Sequence, residues 1–328
     1  MENNRKFLDE MEEAIMNADI PESEKSKLIK NVLHLKEQKV NLMITGATGS
    51  GNSSTINALF DMEVAKVGVG VTPETMEIKK YELDNLILWD SPGLGDGIEA
   101  DKRHTKNIIQ KLNERDANGN LLIDLVLVIL DGGTRNMGTD LKLITQVILP
   151  NLGEDKKGRI LVAINQADMA LKGRYWDYEK NEPEPKLLEA LNDKVNYIHD
   201  RIKSDTGVDT TPIYYCAGFK EEGMPQGRPY NLSKLLYYIV KSTPKEKRLS
   251  YVDHINQDAD MWKDDDGKQD YSGGILKELA TSVREYAAAG ADLGGEIGSV
   301  FGRTGETLGR AVGSVAGGVV GFFKGIFG

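Results

Sequence analysis

Cysteine occurs once in the 328 residues, at Cys216. A single thiol excludes a disulfide framework and makes a reducing cytoplasm the default setting. At the end of an apolar stretch it reads as a small buried residue. Positive charge is scarce as well: 41 Lys and Arg stand against 51 Asp and Glu, a formal net charge of −10. Such a chain has no broad electrostatic grip on a phosphate backbone, which argues against nucleic acid as a partner. The first residues, Met1-Glu2-Asn3-Asn4-Arg5, lack the apolar core of a secretory leader, so secretion is not expected. What is present is a hydrophobic content of 40%, enough for a full core and more than one structural unit.

One missing lysine is more telling. Gly46-Ala47-Thr48-Gly49-Ser50-Gly51-Asn52-Ser53 matches G-x-x-x-x-G-K-[ST] at every position but one, because Asn52 stands where the lysine belongs. A phosphate cradle turns backbone N–H groups inward, in conformations that side chains disfavour, and Gly46, Gly49 and Gly51 supply that freedom. The loop follows an apolar run over 39–45, which predicts a buried strand. It precedes Ser53-Ser54-Thr55-Ile56-Asn57-Ala58, which predicts the first turns of a helix whose N-terminus adds its positive end. In that setting the Ser53 hydroxyl is placed for Mg²⁺.

Three further motifs each close a predicted strand. Asp90-Ser91-Pro92-Gly93 follows the apolar run 85–89; its aspartate is placed to hold Mg²⁺ through water, and the Gly93 N–H to sense a γ-phosphate. Asn165-Gln166-Ala167-Asp168 follows the run 158–164. A carboxylate there accepts from both guanine N1–H and its N2 amino group, a donor pair that adenine lacks. Cys216-Ala217-Gly218 follows Pro212-Ile213-Tyr214-Tyr215 and would close over the base with backbone N–H groups. Each motif alone is weak. Their order, every one at a strand end, is a strong signal.

Over residues 38–242 the chain resembles the translation-factor-class GTPases, the Era-like group in particular. The segments Gly68-Val69-Gly70-Val71-Thr72-Pro73-Glu74-Thr75 and Asp90-Ser91-Pro92-Gly93-Leu94-Gly95-Asp96-Gly97 look like a bacterial stand-alone GTPase family similar to the immunity-related and dynamin-like GTPases. The resemblance implies an α/β P-loop G domain, a mostly parallel sheet with helices on both faces. It implies GTP or GDP and Mg²⁺ as ligands. The nucleotide set is then Gly46, Ala47, Thr48, Gly49, Ser50, Gly51, Asn52, Ser53, Ser54, Gly93, Asn165, Gln166, Asp168, Ala217 and Gly218. The metal set is Ser53, Thr72 and, through water, Asp90. Thr72 takes the switch-I role with Thr75 as the alternative, and Asn52 and Thr72 hold the catalytic positions. It also implies self-association, a site completed by pairing across the nucleotide faces.

Two departures bear on activity. Gln166 replaces a lysine whose aliphatic stem covers the base. Asn52 removes an ammonium whose charge-assisted bond contributes about 1.5–3 kcal/mol, so binding weakens roughly 10- to 100-fold and the transition state, where charge builds, loses more. Leu94 stands where many GTPases carry a water-orienting glutamine; Asp96 is the nearby carboxylate, more readily an exposed turn residue. Arg135, in the loop leaving the run 124–130, reads as solvated.

Four segments follow. Residues 1–37 predict two helices broken at Ile20-Pro21-Glu22-Ser23, with Ser23 as a cap and a stripe of Phe7, Leu8, Met11, Ile15 and Met16 packing on the body. Residues 38–242 form the G domain. Its antiparallel edge strand is expected over 76–83, a central strand over 124–130, and a helix from Lys186 to Lys203. Residues 243–271 form a charged linker or helix, with 263–268 facing solvent.

Residues 272–328 form a glycine-rich amphipathic helical tail; 13 of the 35 glycines fall within 290–328, mostly at every fourth position. Each costs a helix about 0.8–1 kcal/mol against alanine, so the stretch needs a packing partner, a membrane, or disorder. A stripe at that spacing drifts about 40° per step, which excludes one straight, one-faced helix. Ala311 to Phe327 is apolar but for Ser314 and Lys324, near the lower length limit of a spanning helix. The tail therefore predicts membrane contact, helix–helix self-assembly through small residues, or a docked tail. Two functions stand at this point. One is a GTP-dependent switch or self-assembling, membrane-associated GTPase with impaired hydrolysis, cytoplasmic or peripheral at the inner face of a membrane. The other is a nucleotide-sensing or nucleotide-dead adaptor that binds a protein or ribosomal partner without turnover.

Overall fold

The computed structural model describes residues 7–17, 21–60, 78–95, 97–218 and 227–289. Their centre is a six-stranded sheet: β1 (Val40–Gly46), β2 (Lys79–Leu83), β3 (Leu86–Asp90), β4 (Leu125–Asp131), β5 (Ile160–Asn165) and β8 (Ile213–Tyr214). A separate ribbon pairs β6 (Trp176–Asp177) with β7 (Glu182–Pro183). The sheet order is β2-β3-β1-β4-β5-β8, parallel throughout except for the antiparallel edge β2. Among the described residues the edge strand begins at Lys79, inside the expected span, and its outward charges Lys79, Lys80 and Glu82 discourage further pairing.

Side-chain alternation divides the core in two. Leu42 and Ile44 of β1, Leu125, Leu127 and Ile129 of β4, and Leu161 and Ala163 of β5 face one layer. That layer holds α1 (Phe7–Asn17), α2 (Glu22–Glu37), α3 (Asn52–Phe60), α8 (Leu232–Ser242) and α9 (Tyr271–Ala289). Met43, Val126, Val128, Leu130, Ile160, Val162 and Ile164 face the other. There lie α4 (Ile98–Asn113), α5 (Gly138–Lys142), which continues into π-helical Leu143–Ile148, and α7 (Pro185–Thr206). A short turn, α6 (Ala170–Gly173), joins the β5 loop to the ribbon. Helix α7 ends on Gly207 at φ 74°, whose N–H returns to the Lys203 carbonyl.

The N-terminal stripe packs as expected at Phe7, Leu8, Met11 and Ile15, and the Phe7 N–H donates to Asp253 Oδ1 at 2.8 Å. Met16 is the exception: it is exposed, one position round the helix from Ile15. Ser23 does not cap α2. Extended Pro21 precedes the first helical residue, Glu22, which leaves Ser23 in the first turn beyond the capping position, where no side-chain cap bond forms.

The stretch 263–268 also differs from its sequence reading. Asp266 forms an ion pair with Lys234 at 2.6 Å, with side chains 4% and 8% exposed. Asp266 also accepts from the Tyr271 hydroxyl, and Ser233 donates to Asp265. The aspartates are drawn inward because α8 presents a cation and a hydroxyl to receive them. Among the described residues no helix is long and apolar enough to cross a membrane. The glycine-rich segment 290–328 lies outside the described residues.

Candidate functional site

The four motifs meet at the carboxyl ends of β1, β3, β5 and β8, where an open parallel sheet leaves a crevice for ligands. The phosphate loop bridges β1 and α3. Gly51 sits at φ 93°, and a Cβ there would run into the Asn165 amide, so this position requires glycine on both counts. The loop is stitched to the segment after β3: Thr48 N–H donates to the Leu94 carbonyl at 3.1 Å, and Leu94 N–H to the Gly46 carbonyl at 3.2 Å. Leu94 is thereby buried, a core residue rather than a group facing water. Ser91 is buried beside it and donates to Thr45 Oγ1 at 2.6 Å.

Asn52 begins α3 and has found partners of its own. Its Oδ1 accepts from Ser50 Oγ at 3.2 Å, and its side chain lies beside the Asp90 carboxylate. Burial pushes the Asp90 carboxyl up to about 6, against smaller lowering effects of Lys79 and of Asn52. Asn52 thus brings the phosphate loop beside the residue expected to hold Mg²⁺. Ser53, one residue on, is half-buried in the first turn of the helix. A hydroxyl and a carboxylate make a hard-oxygen donor set, which fits Mg²⁺. The third expected ligand, Thr72, lies outside the described residues, as do Thr75 and Asp96.

Asn165 organises the base side. It is 3% exposed. Its Nδ2–H donates to the Ser50 carbonyl at 2.9 Å, and its Oδ1 accepts from the Ala217 N–H at 3.0 Å. One buried amide thus clasps the phosphate loop, the β5 loop and the segment after β8. Gln166, left-handed at φ 56°, adds a bond from Nε2 to the Gly49 carbonyl at 2.8 Å, in the place of the expected lysine. Gly218 follows Ala217 at φ 77°.

Sequence reasoning placed Asp168 but missed what holds it. The Cys216 thiol donates to Asp168 Oδ1 at 3.2 Å, and the Asp168 N–H donates back to Cys216 Sγ at 3.3 Å. Burial, then the Asp168 charge, push the thiol pKa well up, so it stays protonated and able to donate. Two more contacts were not foreseen. His104 Nδ1 meets the Gly93 carbonyl at 2.9 Å, with its Nε2 unpartnered among the described residues. Tyr215 OH and Thr55 Oγ1 share a buried bond at 2.6 Å between the base segment and α3. Arg135 is exposed, in keeping with a solvated loop residue.

A glycine-rich strand–loop–helix, an acidic strand end and an Asn-x-x-Asp turn on this topology give the described residues the α/β fold of a P-loop G domain. Several known proteins are similar to this chain over part of its length. The family model described as interferon-inducible GTPase matches residues 5–111, about a third of the chain. An uncharacterized protein of Escherichia coli (strain K12), YkfA, is 28% identical over 156 residues, 47% of this chain and 50% of that protein. Interferon-inducible GTPase 1 of Mus musculus is 40% identical over 62 residues, 17% of this chain and 15% of that one. Among solved structures, Toc33 from Arabidopsis thaliana in complex with Mg²⁺ and GMPPNP is 15% identical, with a TM-score of 0.38, covering 64% of this chain and 85% of that chain. The chain spans about half the length of the curated relatives it matches.

Proposed function

We propose that this chain binds guanine nucleotide with Mg²⁺ and hydrolyses it slowly. The observation that carries the reading is the Asn165 clasp, which assembles the phosphate loop and both base-facing segments around one buried side chain. Gly46 to Ser54 would cradle the phosphates, and Ser53 and Asp90 would hold the metal, with Thr72 joining them. Asp168, oriented by Cys216, would read the guanine edge, and Ala217 and Gly218 would close over the base. Asn52 carries no ammonium, and Leu94 is committed to the core. Turnover therefore depends on groups brought by a second copy across the nucleotide face, within an Era-like or immunity-related type of switch. The tail beyond Ala289 would carry that switch to a membrane surface, at the inner face facing the cytoplasm.

The decisive experiment is nucleotide content after mild purification, followed by titration with fluorescent GDP and GTP and competition by ATP. Retained or exchangeable guanine nucleotide, displaced by GTP and not by ATP, is the expected result. Absence of any nucleotide together with no uptake overturns the reading. A second reading, an adaptor without turnover, is favoured by one observation: the neutral Asn52, its Oδ1 accepting from Ser50, stands where a lysine would meet the phosphates. Guanine nucleotide binding with no hydrolysis at any protein concentration would select it.

A further inference from the structure

The loop after β4 is held by a residue that no nucleotide motif includes. Lys194, midway along α7, donates from Nζ to the Gly132 carbonyl at 2.6 Å and to the Thr134 carbonyl at 2.8 Å. Gly132 in turn donates its N–H to the Asn165 carbonyl at 2.7 Å. The approach is so close that a Cβ on Gly132 would lie 2.6 Å from both the Asn165 and Gln166 carbonyl oxygens. The ammonium also faces two carboxylates, Asp131 and Asp140. Asp131 Oδ1 is taken by the Gly133 N–H at 2.7 Å. Asp140 is 4% exposed, and its Oδ1 has no hydrogen-bond partner among the described residues. Lys194 therefore joins two carbonyls of this loop, with the charges of Asp131 and Asp140 nearby, behind the turn proposed to read the base.

From this geometry we infer that Lys194 is a positioning residue for guanine recognition: it presses Gly132 against Asn165 and Gln166 and so fixes the turn that carries Asp168. The inference rests on the proposed guanine site, and it deepens that reading by extending the base-reading machinery to α7. The chain of contacts is short and specific. Nζ sets the Gly132 peptide, the Gly132 N–H sets the Asn165 backbone, and the Asn165 side chain sets Ser50 and Ala217. An arginine would keep both carbonyl contacts and the countercharge; a methionine would keep only the stem.

Two measurements on the full chain test it. Hydrogen exchange reads the amides of Gly132 and of 165–168 without nucleotide. Competition of GDP against ADP reads base discrimination. Lys194→Met leaves Asp131 and Asp140 without their cation and risks the fold, so Lys194→Met combined with Asp140→Asn is compared with Asp140→Asn alone. Faster exchange confined to those amides is expected in the double variant, together with a loss of GDP preference of about tenfold. Lys194→Arg should restore both. Unchanged exchange at 165–168 in a folded double variant overturns the inference, as does a uniform loss of GDP and ADP binding. If no form of the protein takes up nucleotide, the proposed function fails, while the exchange experiment still decides whether Lys194 sets the turn.

Discussion

At the scale of single residues, Asn52 separates recognition from chemistry. Its side chain carries no charge and its Oδ1 accepts from Ser50 inside the protein, so the loop folds without a ligand to balance a lysine. Restoring the ammonium should change both. Asn52→Lys is expected to tighten GTP binding roughly 10- to 100-fold, the worth of one charge-assisted hydrogen bond. Fluorescent-nucleotide titration measures this, and equal affinities would refute the role given to position 52. Single-turnover hydrolysis by that variant should still rise with protein concentration, since Leu94 remains unable to orient water. A fast rate independent of concentration would remove the need for a second copy. Cys216 acts at the same scale. A protonated thiol with both a donor and an acceptor contact to Asp168 fixes that residue without a charge.

Between elements, the contact of α5 with α7 holds the least comfortable group described. Burial, then the neighbouring Asp131 charge, lift the Asp140 carboxyl from an ordinary 3.8 to about 6, with Lys194 opposing. An acid whose pKa is higher folded than unfolded takes up a proton on folding between those two values, so stability falls as pH rises through the window from about 4 to about 6 and stays lower above it. Asp140→Asn, which carries no such cost, should therefore stabilise the protein by about 1–2 kcal/mol at pH 8. The gain should vanish near pH 4. Thermal or urea denaturation at the two pH values tests this, and a pH-independent difference would count against it. Asp124 shows the contrasting arrangement. It is also buried, but it accepts from the Asn41 N–H and from Lys247, joining the start of β4 to β1 and to the stretch that follows α8.

For the whole molecule, the question is what the chain beyond α9 attaches to. Ile275, Leu279 and Val283 of α9 share the core layer of β1 and α8, so the helix is part of the folded body. A cut that isolates the glycine-rich segment therefore belongs after Ala289, and a cut at 272 would strip the core. The protein ending at Ala289 should stay folded and lose the co-sedimentation with anionic vesicles expected of the full chain. Equal pelleting of both would exclude membrane attachment through 290–328, and loss of oligomer without loss of pelleting would point to helix–helix assembly instead.

The sequence by itself determined the strand–helix alternation, the edge strand and the four loops. Those features are written locally: a continuous apolar run in β4, glycines where a turn needs them, an Asn and an Asp three apart at a strand end. It did not reach the contacts that make the loops one site. Cys216 and Asp168 lie 48 residues apart, Lys194 and Gly132 62 apart, and neither pair has a spacing that any local rule reads. Burial inverted other local readings. Leu94 looked like an inadequate catalytic residue and is a core residue, and Asp265 and Asp266 looked like part of a solvated run and pair with α8. Only the tertiary structure decided these, because the worth of a hydrogen bond or a charge depends on what surrounds it, and that is set by elements far away in the chain.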